Sequence, residues 1–283
     1  FFYRIDPFKV SGDSASGLLQ GISSWKPEGD GAGDDKIQAY NFRLCLTQVE
    51  ENRVPFAQPS SYDPSKYELL LRTLIRGSRH VFSNFDPIPN AKTDTNNYGS
   101  FSTDNIGMNY RYPEGTYEER SEIISEHENY LKGYFYFLCN DPRVPQEIRD
   151  EMNQWGLARD EFEENGHWPE QLYIREARRM IGNFIMTEHE VTGRKKTLRD
   201  VGMSSYTMNS HNVQRYVAKD ENGKSYVLNE GDFQVEVKKP FKISYDSLLP
   251  QKKECENLLV TNCLSASHVA FGSVRMEPVF MLL

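Results

Sequence analysis

The residues best suited to chemistry lie near the end of the sequence. Ser265, Ser267 and His268 are followed by Gly272-Ser273-Val274-Arg275 and then by Pro278. Hydroxyl and imidazole groups in such a run can both donate and accept hydrogen bonds. The apolar run Leu258–Val260 just before them reads as a buried strand. A strand that enters small, hydroxylated residues and then a helix brings free backbone N–H groups, and a dipole that favours negative charge, to the strand's end. Gly272 permits close approach of the backbone. The turn therefore suits a phosphate or the electron-rich edge of a ring. It equally suits an ordinary strand–loop–helix with conventional caps, and on the residues alone both readings stand.

Other candidates are scattered. His211 sits in a Ser- and Tyr-rich loop, where a histidine titrating near neutrality can take a proton from a hydroxyl group; a capping or surface role competes. Arg175, Arg178 and Arg179 cluster on a helix, whereas on a strand Arg175 and Arg179 share a face and Arg178 points away. They suit an anionic ligand, or a salt-bridge network with Glu170, Glu176 or Glu188. Glu188-His189-Glu190 imitates a metal-binding run without a further cluster at fitting spacing, so no metal is expected. Asp94, Asn96, Asn97 and Asp104 suit sugar hydroxyls or calcium, and equally suit local turns. Cys45, Cys139, Cys255 and Cys263 show no CxxC spacing, which argues against a zinc knuckle or a dithiol pair.

Bulk properties narrow the partners. The 283 residues, 38 % hydrophobic and 26 % charged, can bury a sizeable core and do not read as disordered. The net charge of −8, from 33 basic against 41 acidic side chains, comes with no basic stripe. Nucleic acid and anionic membrane surfaces are therefore poor partners. No apolar run is long enough to span a bilayer. A small-molecule substrate is the partner expected.

The elements that must position these residues follow from pattern. A strand is expected over Gln38–Leu46, a helix over Pro64–Arg76, and irregular chain over 77–114 with a polar centre from Asn90 to Asn109. The clearest helix begins near Thr116 and stops at Asn140-Asp141-Pro142, with Glu118 and Glu119 in its first turn. A shorter one runs from Pro145 to Trp155. Leu172–Ala177 alternates like a strand, with a helix from Glu170 as rival, and Thr187 with Glu190 forms a capping box. From Tyr216 the pattern is β: a hairpin turning at Asp220–Gly223, then Phe233–Val237 and Phe241–Tyr245. Phe1–Pro7 reads as a strand entered midway, and the last residues stop inside an apolar run, so both ends look cut.

The tail from Asn257 to Met281, NLLVTNCLSASHVAFGSVRMEPVFM, resembles the closing flavin-contacting segment of the FAD-dependent oxidoreductase family, the xanthan-lyase-like proteins with glutathione-reductase-like nucleotide binding. Further stretches resemble the family in order along the chain: Tyr3–Pro7, QAYNFRLCLT from Gln38, ENRVPF from Glu51, KTDTNNYG from Lys92, NDPRV from Asn140, MNQWG from Met152, WPEQLYIREARRMIG from Trp168, and Ser244-Tyr245 with Leu249-Pro250. The strand–GxGxxG–helix that holds the FAD pyrophosphate in such proteins has no counterpart here, nor has the Gly/Ala-rich helix expected after Met281. Thr261-Asn262-Cys263 stands where many relatives have a small-Gly-Arg run.

The resemblance implies an α/β fold, here an α+β portion of an incomplete FAD-binding glutathione-reductase-like fold with a mixed substrate or cap domain. Residues 1–50 would join the two domains. Residues 51–250 would form the cap, with a helical insertion around 115–156, and 251–283 would close the FAD-binding domain. FAD is the implied cofactor, with Cys263, Ser265, Ser267, His268, Gly272, Ser273, Val274 and Arg275 around it, the last four offering backbone amides to the flavin edge. His211, His268 and Arg175 are the catalytic candidates. Hydride transfer from a small, carbohydrate-related substrate is the implied reaction. A flavin-free glycan-binding or glycan-cleaving protein is the alternative, although no paired carboxylates stand out.

Overall fold

The computed structural model describes residues 4–29 and 31–283, so the expected first strand lies partly outside the described residues. The fold is mixed α+β, and every strand ladder in it is antiparallel. Two compact units form. One takes the chain through Ile174 together with Val213–Glu230; the other combines Arg175–Asn212 with Gly231–Leu283.

The larger unit is organised by the helix Tyr117–Asn140. Thr116 and Glu119 cap it reciprocally, the Thr116 hydroxyl accepting from the Glu119 amide and the Glu119 carboxylate from the Thr116 amide. Asp141-Pro142 ends it where the sequence indicates. Its buried stripe includes Ile123, His127, Tyr130, Leu131, Tyr134, Phe135 and Leu138. Helices Glu68–Ile75 and Gln146–Met152 belong to the same core, as does a five-stranded sheet. The sheet order is Arg53–Val54, Gly156–Ala158, Leu44–Thr47, Lys92–Thr95, Phe85–Ile88, with Leu44 opposite Thr95 and Leu46 opposite Leu157. Gly133 lets Tyr67 approach that helix and donate its hydroxyl to the Tyr130 carbonyl at 2.8 Å.

His127, inside this core, has its Nδ1 at 2.7 Å from the Ile123 carbonyl. Burial pushes its pKa down from 6.5 to about 4. Between those values the unfolded chain holds a proton that the folded chain excludes. Stability is therefore full above the unfolded value and falls with pH through the window, by about 3 kcal/mol once both values are passed. Urea midpoints taken above and within the window should fall less steeply in His127→Gln than in the wild type.

Several expectations need correction. Only Leu44–Thr47 of the strand expected from Gln38 pairs in a ladder of strands. Gln38–Phe42 is buried, but its carbonyls are taken by a loop: the Asn109 side chain donates to Gln38 O and the Asn105 amide to Tyr40 O. The segment expected to be irregular contains the hairpin Phe85–Ile88/Lys92–Thr95. Its three-residue turn has positive φ at Asn90 and Ala91, 67° and 55°, a left-handed region that favours glycine. Leu172–Ala177 forms neither strand nor helix. A single bridge joins Tyr173 to Asn41, and the adjacent charged residues Arg175 and Glu176 are both buried, which fits neither period.

The smaller unit carries two short ladders. Asp200–Ser204 pairs with Phe241–Ser244, and Met208–Ser210 with Phe233–Val235. Helices His268–Val274 and Glu277–Leu282 pack with them around Met186, Met208, Ile243, Leu264 and Phe271. Asn257–Val260 is not the buried strand expected: Leu258 and Leu259 are about half exposed, and the Val260 amide makes one loop bond, to Leu248 O. Three apolar residues following the charged run Lys252–Glu256 do not pair with a strand here.

Candidate functional site

The tail's polar residues are held by main-chain bonds within the smaller unit. Ser265 N donates to Ser247 O, Met186 N to Ser265 O, and Ser267 N to Met186 O, at 2.8–3.0 Å. Gly182 N donates to the Ser265 hydroxyl at 3.1 Å. A side chain at Gly182 would meet the Leu249 carbonyl, so this close approach needs glycine. Ser267, extended at φ −65° and ψ 159°, then caps the helix by accepting from the Ala270 amide.

The helix expected at Pro278 is present as Glu277–Leu282, and a further helix, starting at His268, precedes it and contains Gly272. The amides of Gly272, Ser273 and Val274 therefore lie in its body, where they bond to the preceding turn. Their side-chain positions face protein. A Cβ on Gly272 would sit 2.5 Å from the Asn209 carbonyl, the Ser273 hydroxyl donates to Tyr206 O, and Val274 is in the core. In the first turn, the amides of His268 and Val269 precede any intrahelical acceptor.

His268 is the centre of the arrangement. Its Nδ1 lies 2.8 Å from Glu176 Oε2 and its Nε2 lies 3.2 Å from Ser210 Oγ. The ring meets Phe233 edge-on, with centroids 6.1 Å apart. Glu176 is sealed from solvent, and its Oε2 also accepts from Arg179 Nη1 at 3.0 Å. Arg179 in turn donates from Nε to Ala266 O at 3.1 Å and lies over the Phe271 ring. A buried carboxylate shared by a guanidinium and an imidazole fixes the ring's orientation. With Nδ1 donating to Glu176, Nε2 is left as the acceptor. The imidazole remains 36 % exposed, which keeps it within reach of a ligand.

Arg275 lies behind the same strand. It is buried, its Nη2 donates to Asn209 Oδ1 at 3.3 Å, and its Nε has no acceptor. His211, half-buried, directly follows Ser210, and its carbonyl lies 3.4 Å from Ser210 Oγ, an alternative acceptor for the one proton that this hydroxyl can give to His268 Nε2. Arg175 is buried beside Glu176 in sequence, and Cys263 is exposed. The structure thus gathers Ser265, Ser267 and His268 around one helix start, with Arg275 at the other end of the same helix. It adds Glu176 and Ser210, which sequence reasoning did not place in the site, and brings in Arg179, read from sequence as suiting an anionic ligand or a salt bridge. Among the described residues no group of three or more His, Cys, Asp or Glu is arranged to hold a metal.

The match to known families identifies the chain's family. A family model described as FAD dependent oxidoreductase matches residues 2–283. The chain belongs to the FAD-dependent oxidoreductase family. No curated protein and no solved structure matches it. As a member of that family the protein is an enzyme whose cofactor is FAD, and the flavin-free alternative falls away. The donors present fit such a cofactor. The orphaned Arg275 Nε, the first-turn amides and the imidazole are the groups that an acceptor-rich flavin edge or a reacting hydroxyl can use. No helix among the described residues of this FAD-dependent oxidoreductase is long and apolar enough to cross a membrane.

Proposed function

We propose that this FAD-dependent oxidoreductase oxidises a small, hydroxylated, carbohydrate-related substrate, with the segment Cys263–Arg275 against the flavin and His268 as the base. The carrying observation is the Glu176–His268–Ser210 arrangement, in which a buried carboxylate leaves an exposed imidazole with Nε2 as its acceptor. Bound FAD would supply the hydride acceptor. Nε2 would take the proton of the substrate hydroxyl in place of the Ser210 hydroxyl, and the Glu176 carboxylate would balance the imidazolium that results. Ser265 and Ser267 hold the helix start in place, and Arg275 Nε would donate to the cofactor's acceptor edge. Gly272, Ser273 and Val274 act through packing that sets the helix against Met208–Ser210. His211 and Arg175 flank Ser210 and Glu176 in sequence and complete the proposed set.

A glutathione-reductase-like fold is the corresponding reading, with residues 251–283 assigned to the FAD-binding domain and residues 51–250 to the substrate domain. The carbohydrate class rests on the polar and aromatic loop residues of the sequence, whose hydroxyls, amides and rings suit a polyol. Anaerobic mixing of the flavin-loaded protein with a panel of polyols, aldoses and sugar acids tests the reading. At least one should bleach the oxidised-flavin absorption. A panel in which only unhydroxylated donors bleach it would overturn the substrate class.

A further inference from the structure

The larger unit contains a buried arginine that the proposed reaction does not use. Arg215, on the strand Gln214–Lys219, is 3 % exposed. Its guanidinium lies 4.5 Å above the centre of the Phe101 ring. The Tyr130 hydroxyl and the buried Asp104 carboxylate lie near enough to favour its charge. Yet both Nε and Nη2 are buried without a hydrogen-bond partner. These two nitrogens form one edge of the guanidinium, with parallel N–H bonds, and that edge matches the two oxygens of a carboxylate. Leaving a pair of charged donors unsatisfied inside a protein is costly, so such a pair points to a missing acceptor.

Arg215 also lines a cavity of about 40 Å³, together with Gln20, Phe101, Asn105, Ile106 and Tyr130. All of these belong to one compact unit, so the cavity is a feature of that unit alone. It has room for a few heavy atoms, more than one water requires. Its walls combine an aromatic ring, an aliphatic side chain, two amides and a phenol with the guanidinium.

We propose that this cavity is a binding site for a small carboxylate, held by the Nε–Nη2 edge of Arg215 and flanked by the Asn105 and Gln20 amides. The aromatic and aliphatic walls favour a compact acid over a hydrated ion, and the cavity's size sets the limit at about formate or acetate. A free acid of that size and the carboxylate end of a larger hydroxy acid share this chemistry. Lys66 and Glu126 line both the cavity and an open surface groove of the same unit, so the two are neighbours.

Thermal melting of the complete protein at constant ionic strength tests the site. Formate and acetate should raise Tm with a saturable concentration dependence, whereas chloride and benzoate should not. Arg215→Gln should abolish the response. Should that variant fail to fold, the wild-type series decides alone, because benzoate is too bulky for the cavity and chloride lacks the paired oxygens of a carboxylate. Glycolate and glycerate separate the sources: a response to them that exceeds acetate's identifies a hydroxy acid, and a weaker one identifies a free small acid. No response to formate or acetate, or an equal one to chloride, overturns the proposal.

Discussion

Replacing His268 by alanine should lower the rate of substrate-driven flavin reduction by roughly 10²- to 10⁴-fold, the range for losing a positioned general base. The bound-flavin content should stay near that of the wild type, because the helix cap, Ser267 to the Ala270 amide, does not involve the imidazole. Glu176→Gln tests positioning separately from proton transfer. The amide can keep contact with His268 and Arg179 but offers no negative charge to an imidazolium. A smaller loss is expected, on the order of 10- to 10²-fold, with the pH dependence of flavin reduction displaced from that of the wild type. A merely structural Glu176 would leave that pH profile in place. Rapid anaerobic mixing, followed at the flavin absorption, measures both.

Gly272→Ala should destabilise the protein by about 1–3 kcal/mol, as forced overpacking does. The added carbon would sit 2.5 Å from the Asn209 carbonyl oxygen and 3.1 Å from that residue's carbonyl carbon and nitrogen. Backbone atoms cannot swing aside as a flexible side chain can, so helix His268–Val274 must move off strand Met208–Ser210. The usual gain of alanine over glycine in a helix, about 1 kcal/mol, works in the opposite direction and is too small to cancel this. Because Ser210 and His268 sit on the two elements being separated, flavin reduction should slow as well. Denaturant midpoints of flavin-free and flavin-loaded protein distinguish the alternatives. Packing predicts a loss in both. A glycine kept free for the cofactor predicts a loss only in the loaded form.

How much could be read beforehand depended on whether the deciding contacts were local. The helix Tyr117–Asn140 was legible because its cap, its acidic first turn and its terminating proline lie within the segment itself. The capping box at Thr187 and Glu190 and the hairpin turning at Asp220–Gly223 were legible for the same reason. Gln38–Phe42 was misread because loop groups from Asn105 and Asn109, far along the chain, take its carbonyls. Leu258 and Leu259 were misread because apolar composition gave no sign that they are exposed.

The site divides in the same way. His268 and the serines beside it were visible as a polar run ahead of a glycine. Glu176 was seen only as a salt-bridge partner for the nearby arginines, which it is for Arg179. Nothing local ties it to His268, 92 positions away, and Ser210 is 58 positions from the same ring. Gly272 was legible as a position needing close approach. The group that approaches is Asn209, a backbone partner that only the folded chain reveals.

The most direct test of the central claim is a crystal structure of the complete protein with FAD bound. The isoalloxazine ring should lie along the start of helix His268–Val274. Its acceptor edge should be within about 3 Å of the His268 or Val269 amide or of Arg275 Nε, with the imidazole facing the substrate side. A flavin bound elsewhere, with His268, Glu176 and Ser210 unchanged and remote from the ring, would contradict the account.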